Sequence, residues 1–231
     1  MEIQKKYHIS IGSNIGNRIK NIQETIDLIH SRIASLLSIS SIYETESIGF
    51  EGDDFFNICA SFNSFKSPHF IMNEFLEIEK LLGRVRSKEK KYTSRIIDID
   101  ILLVDDMIIN SEELTIPHKE MCNRRFVLDP LIEIDPNIIH PVNKMSIKEI
   151  LNSLESKQKI QNKDIILQNP AHSVSINNYS YIAIEGNIGS GKTSLSKLIS
   201  SDFNTKLMLE RFIDNPFLAK FYKNPKDFAF L

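Results

Sequence analysis

The decamer SRIIDIDILL, Ser94 to Leu103, alternates apolar and acidic residues in a pattern that an extended strand puts to use. Successive side chains of a strand point to opposite faces, so Ile97, Ile99 and Ile101 share one face while Asp98 and Asp100 share the other. The isoleucine face needs a core behind it. The two carboxylates would stand roughly 6–7 Å apart at Cβ, twice the strand rise. They could converge on one or two Mg²⁺ ions, which favour carboxylate oxygens shared with substrate phosphates. An ordinary half-exposed strand with its acidic side in water is the plainer alternative. The preceding residues favour a site. Arg84, Arg86, Lys88, Lys90, Lys91 and Arg95 crowd a loop from Gly83 to Arg95 that has nothing to bury and can close over a polyphosphate.

Working outward, the strand extends over Ile96–Val104, with a hairpin expected into Met107–Ile109. Upstream, Tyr7–Ile11 reads as a strand and Gly12–Gly16 as a turn. Ile19, Ile22, Ile26, Ile29 and Ile33 recur at helical spacing behind Asn17, a suitable cap. Ile39–Glu44 and Phe55–Phe62 read as strands. A second helix starts near Pro68, carries the stripe Phe70, Ile71, Phe75, Ile78 and Leu82, and ends at Gly83. Short helices are expected near Arg125–Ile134 and Ser146–Leu154. Strand–helix–strand–strand–helix–strand is the order of a ferredoxin-like α+β sandwich, here with extra C-terminal elements. From Glu155 to Ser180 the composition turns to Lys, Gln, Asn and Ser. This predicts a linker between a domain at 1–154 and another at 181–231, with Asp164–Leu167 a possible short strand inside it.

The 231 residues are 42% hydrophobic and 25% charged with a net charge of −2. Nothing there argues for nucleic acid as a partner. Cys59 and Cys122 have neither metal spacing nor a disulfide framework around them. The N-terminus lacks the apolar core of a signal peptide, and no run is long enough to span a bilayer. The expectation is a cytoplasmic protein without a membrane partner.

Beyond the strand, Leu114-Thr-Ile-Pro-His118 leads to Asn123-Arg-Arg-Phe126. An imidazole and two guanidiniums a few residues apart suit phosphate contacts, and Phe126 offers an aromatic face. With Ile11-Gly-Ser-Asn14, Phe55-Phe-Asn57, Gly83-Arg-Val-Arg86 and Arg95-x-x-Asp98-x-Asp100-Ile-Leu, these motifs stand in an order that resembles the 6-hydroxymethyl-7,8-dihydropterin pyrophosphokinases of folate biosynthesis. The resemblance covers about residues 5–154. It implies a transferase that moves the β,γ-pyrophosphoryl group of ATP to the pterin hydroxymethyl oxygen and releases AMP.

Carried over by position, Asp98 and Asp100 would hold two Mg²⁺ ions, and Arg84 and Arg95 would be catalytic, stabilising charge on the transferring group. Thr115, His118 and Arg124 would hold ATP, the co-substrate. The pterin would lie between Phe55 and Phe126, with Asn57 reading its pyrimidinone edge and Thr45 nearby. The domain would be monomeric. The chain departs from the family pattern where Lys91-Tyr-Thr-Ser94 replaces a frequent Arg-Trp-Gly-Pro. Glu113 and Lys119 stand where the family often has an arginine and an aromatic residue.

A second motif, GNIGSGKT, runs from Gly186 to Thr193 and fits G-x-x-x-x-G-K-[ST]. In such a loop, N–H groups cradle phosphates, the lysine reaches them and the hydroxyl assists Mg²⁺. An apolar strand is expected before it, Tyr181–Glu185, and a helix after it. With Leu209-Glu210 and Asp214-Asn-Pro-Phe217, this stretch resembles the start of a P-loop deoxynucleoside kinase. The resemblance implies Gly186, Gly191, Lys192 and Thr193 as nucleotide-binding residues and Glu210 as general base. About 50 residues are covered, so the expected element is the first strand–loop–helix of an incomplete α/β domain. A parent protein would then be a bifunctional fusion whose complete second domain could dimerise. Three rival readings are a pterin- and ATP-binding module without catalysis, a nucleoside kinase as the main activity, and a metal-dependent phosphoesterase using Asp98, Asp100 and His118.

Overall fold

Alternating apolar residues draw Lys5–Ser13 into β1, whose register runs antiparallel both to β4 (Phe55–Ser64) and to β5 (Asp98–Val104). The computed structural model describes residues 3–47, 52–84, 94–156, 158–171, 181–187, 189–202 and 206–209. Between β1 and β4 come α1 (Arg18–Arg32), β2 (Leu36–Ile39) and β3 (Ile42–Thr45). After β4 come α2 (Pro68–Leu81) and, past β5, the short pair β6 (Ile109–Asn110) and β7 (Thr115–Ile116), then α3 (Arg125–Ile134), α4 (Ile147–Ser153), β8 (Ile160–Lys163) and α5 (Lys192–Asp202). The main sheet is ordered β5-β1-β4-β3-β8, with β2 also on β4, and all its pairings are antiparallel.

The helices start where the sequence predicts. Asn17 accepts the N–H of Lys20 at the head of α1, and Ser67 accepts the N–H of Phe70 at the head of α2, with Pro68 in the first turn. Ile22, Ile26 and Ile29 of α1 and Ile71, Phe75 and Ile78 of α2 are wholly buried on one face of the sheet against Ile9, Ile11, Ile58, Phe62, Ile99 and Ile101. Each such side chain contributes about 1.5–3 kcal/mol by leaving water. Ile19 and Phe70, read into these stripes, are instead exposed at 39% and 41%. They sit in the first turns of their helices, to the side of the buried stripes. The opposite face carries a second core in which Cys59, Leu102 and Leu103 meet Val127, Leu128 and Leu131 of α3 and Ile147 and Ile150 of α4.

A register shift between His8 and Ile9 leaves an extra residue on β5. Its effect is visible in the cores: Ile101 and Val104 belong to the first, and the intervening Leu102 and Leu103 both to the second. A bulge of this kind re-aims one strand without breaking the pairing.

Several expected elements fall elsewhere. Ile39–Glu44 is two strands, because the Ser40 hydroxyl accepts the N–H of Cys59 and the Ser41 N–H and hydroxyl turn to Glu133 of α3. β5 does not hairpin onto Met107–Ile109. Asp105 turns the chain with φ 44° and its N–H bonds Lys6, after which β6 pairs with β7. Within the stretch read as linker, the strand lies at Ile160–Lys163 rather than Asp164–Leu167, and it lengthens the main sheet. The chain divides into two compact units, Met1–Val174 and Ser175–Leu231. Residues 155–171 therefore belong with the first unit, because edge-strand hydrogen bonding outweighed their polar composition.

In the second unit α5 forms as expected, but residues 181–187 carry no strand. A parallel strand needs neighbours to take its N–H and C=O groups, and none stands beside it among the described residues. Leu195 and Leu198 of α5 are 48% and 57% exposed. Among the described residues, no helix is long and apolar enough to cross a membrane.

Candidate active site

The second face of the sheet is apolar under α3 and α4 and becomes polar beyond them. Gly12 of β1 lies between Asn57 of β4 and Asp98 of β5, and Ser10 lies between Cys59 and Asp100. A Cβ at Gly12 would stand 3.1 Å from Asn57 Oδ1. The missing side chain therefore leaves room for that amide beside the carboxylates. Asn57 Nδ2 donates to Thr45 Oγ1 at 2.9 Å, both residues being buried. The hydroxyl thereby sets which way the amide faces.

Asp98 is gripped from two sides. Arg84 Nη1 donates to one carboxylate oxygen and Arg95 Nη1 to the other. Arg84 Nη1 also donates to Glu79 Oε1, which in turn accepts the N–H of Ile99 at 3.0 Å. Burial opposes the charge on Arg84, but Asp98 and Glu79 outweigh it and hold the guanidinium above its ordinary pKa. Asp100 is pushed up to about 7, first by burial and then by the neighbouring charge of Asp98, with Arg124 opposing the rise.

His118 follows the cis Ile116–Pro117 bond and is pinned to β5 by its N–H, which donates to Leu102 O at 2.9 Å. Its Nδ1 accepts the N–H of Glu120 at 3.2 Å. Burial, then the charge of Arg124, lowers its pKa to about 4. The ring is neutral at pH 7 and carries its proton on Nε2, where it can donate.

Arg124 lies with its guanidinium carbon 5.6 Å from the centre of the Phe126 ring. Arg125, the other guanidinium of this motif, is tied within its own helix to Asp129 by two bonds of 3.1 Å. Thr115 is half-buried on β7, Phe55 half-buried at the head of β4, and Phe126 half-buried in the first turn of α3. Arg86, Lys88, Lys90, Lys91 and Glu210 lie outside the described residues.

Two residues that contact this cluster escaped the site assigned from sequence. Glu79 is 1% exposed although charged. The signal was available, since Ile71, Phe75 and Glu79 stand at i, i+4 and i+8 on the buried stripe of α2. Asn14 is also 1% exposed. Its Nδ2 donates to Asp53 O and Ser94 Oγ, and its Oδ1 accepts the N–H of Arg95 at 2.7 Å. One amide thus joins the entry to β4 with the arginine that reaches Asp98.

In the second unit, Gly189 and Gly191 adopt φ +80° and +84°, conformations that favour glycine, and α5 begins at Lys192. Lys192 Nζ donates to Gly186 O at 2.5 Å and Asn187 O at 2.7 Å, folding back over the loop. Thr193 is exposed in the first turn of the helix.

Paired carboxylates answered by arginines, on the open end of an antiparallel sheet, define a face suited to metal ions and phosphate groups. The chain belongs to the 7,8-dihydro-6-hydroxymethylpterin-pyrophosphokinase (HPPK) family, whose model matches residues 8–136. Residues 182–231 match the deoxynucleoside kinase family model.

Over 144 residues the chain is 35% identical to the 2-amino-4-hydroxy-6-hydroxymethyldihydropteridine pyrophosphokinase of Aquifex aeolicus, covering 62% of this chain and 88% of that protein. It is 39% identical over 141 residues to the folic acid synthesis protein fol1 of Pneumocystis carinii, covering 61% of this chain and 19% of that one. A fol1 protein of Schizosaccharomyces pombe is 33% identical over 166 residues, with 22% of it covered. The chain thus spans about a fifth of the length of these two fungal proteins. Its fold is similar to that of Plasmodium falciparum HPPK-DHPS, with a TM-score of 0.55 at 15% identity over 65% of this chain and 44% of that one.

Proposed function

We propose that the first unit transfers the β,γ-pyrophosphoryl group of ATP to the hydroxymethyl oxygen of 6-hydroxymethyl-7,8-dihydropterin, releasing AMP, in folate biosynthesis. The observation that carries this reading is Asp98 on an open sheet face beside Asp100, with Arg84 and Arg95 each donating to it. The family named above favours the same chemistry, and the order of the four central strands, β5-β1-β4-β3, supports a ferredoxin-like sandwich.

Asp98 and Asp100 are the residues that would hold Mg²⁺, two ions by the family resemblance. The donor set fits. It offers two carboxylates on one face, and Asp100 is disfavoured as an anion by burial and by its neighbour, so added positive charge is welcome. Bound there, the metal would neutralise charge on the polyphosphate. In this reading Arg84 and Arg95 pass from Asp98 to the transferring group, where fixed positive charge lowers the barrier. Thr115, His118 through Nε2–H, and Arg124 hold ATP. Phe55 and Phe126 take the faces of the pterin, and Asn57 reads its edge with the amide orientation that Thr45 sets. The unit acts as a monomer in the cytoplasm.

The test is AMP formation from ATP and Mg²⁺ with and without the pterin. AMP that requires the pterin is expected. Phosphate release without pterin would favour a phosphoesterase instead, and pterin binding without AMP would leave a binding module. Thr45→Val keeps shape but leaves the Asn57 amide without its acceptor. An unpaired buried donor costs about 1–3 kcal/mol, so the KM for pterin should rise about tenfold while the KM for ATP holds.

In the second unit we propose Gly186, Gly191, Lys192 and Thr193 as the phosphate cradle, and Glu210 as the base, of the beginning of a deoxynucleoside kinase-like domain within a bifunctional protein. Its chemistry is separate from that of the first unit. Lys192→Ala should therefore leave pterin-dependent AMP formation unchanged, and a fall in that rate would contradict the separation.

A further inference from the structure

β8 and the residues after it form a strap bound to the strand that carries Thr45. Antiparallel pairing sets Ile160 opposite Thr45, Gln161 opposite Glu44 and Lys163 opposite Ile42. Lys163 Nζ stands 2.5 Å from Glu44 Oε2, and Glu44 Oε1 stands 3.1 Å from Arg18 Nη1. The same Arg18 Nη1 donates to Asp54 O at 2.6 Å, and its guanidinium carbon lies 3.6 Å from the centre of the Phe56 ring. Arg18 therefore grips the residues on both sides of Phe55. Further along, Ile165 and Leu167 pack against the first core, and Gln168 and Gln23 exchange two hydrogen bonds of 2.9 Å. Asn169 Nδ2 reaches Leu36 O at 3.2 Å. The strap is clipped to α1 and β2 beyond the strand itself.

We propose that Lys163 is a positioning residue for pterin recognition, acting through the relay Lys163–Glu44–Arg18 to hold Phe55 and the Thr45–Asn57 pair in place. An isolated surface ion pair does little. Here three charges in series link a paired edge strand to the backbone on one side of an aromatic residue and a ring on the other. The bond from Lys163 is the largest influence holding the Glu44 carboxyl below its usual range. The relay ends on Asp54 and Phe56, the two chain neighbours of Phe55, and on no residue assigned to ATP. The inference rests on the pterin reading of Phe55, Thr45 and Asn57.

The experiment compares the full chain with Lys163→Met and Lys163→Arg. It measures pterin affinity calorimetrically, KM for pterin and for ATP, and Tm. For Lys163→Met, the Kd and KM for pterin should rise about fivefold while the KM for ATP and kcat stay within twofold, and Lys163→Arg should recover wild-type values. Glu44→Gln should reproduce the effect, and the double variant should be no worse than either single one. Pterin constants that do not move, or that move together with those for ATP in step with a lower Tm, overturn the proposal. A wild-type chain that binds no pterin would remove the function reading and this inference with it. A binding wild type with an unmoved Lys163→Met removes the inference alone.

Discussion

Replacing Asp98 and Asp100 together by asparagine should reduce pterin-dependent AMP formation by roughly a thousandfold or more, while leaving the protein folded. In the proposed reading the two carboxylates would hold Mg²⁺ that supplies several kcal/mol of charge stabilisation at the phosphates, and each 1.4 kcal/mol is about tenfold in rate. Stability should move the other way at Asp100. Its carboxyl is raised to about 7 from an ordinary 3.8 by burial and by Asp98. A raised carboxyl favours the folded state below the unfolded pKa and loses that advantage as pH climbs through the folded one. In metal-free buffer, Asp100→Asn should therefore melt higher than wild type by a margin that grows from about pH 4 to pH 7 and then levels off. A double variant that forms AMP at near wild-type rate would end the site assignment. A single variant that melts lower at pH 8 would end the electrostatic account of Asp100.

Glu79→Leu should lower Tm by about 10 °C. The substitution leaves the Ile99 N–H without its acceptor and strips Arg84 of one of its two carboxylate partners. Breaking a buried ion pair by removing one member costs about 3–5 kcal/mol, and for a unit of this size each kcal/mol shifts Tm by about 2–4 °C. Glu79→Gln keeps an acceptor for Ile99 and loses only the charge, so its drop should be less than half as large. Activity should fall in both variants, since Arg84 then answers to Asp98 alone. Thermal melts with AMP assays decide the matter. A Leu variant that melts with wild type would show that the Ile99 and Arg84 contacts hold nothing.

The longer strands and the helices of the first unit were legible because they obey a local period. Ile22, Ile26 and Ile29 recur at helical spacing, Ile97, Ile99 and Ile101 alternate, and Asn17 caps α1 through a bond that spans three residues. Asp98 and Asp100 were legible as a pair for the same reason. The charge on Arg84 and Arg95 was also visible, though not its target.

The tertiary structure alone decided which groups meet. Glu79 finds the strand at Ile99, and Thr45 turns the amide of Asn57. Asn14 bridges Asp53 and Arg95, and β8 joins the sheet from a stretch whose composition reads as linker. Those partners lie between 12 residues and over a hundred apart in sequence, a separation that no local period encodes. The same cause explains Tyr181–Glu185, apolar enough for a strand and without one. Its residues state a preference for extended backbone, but a strand exists only where a neighbour takes its hydrogen bonds. Local order was written in single segments, and the site was assembled by long-range pairing.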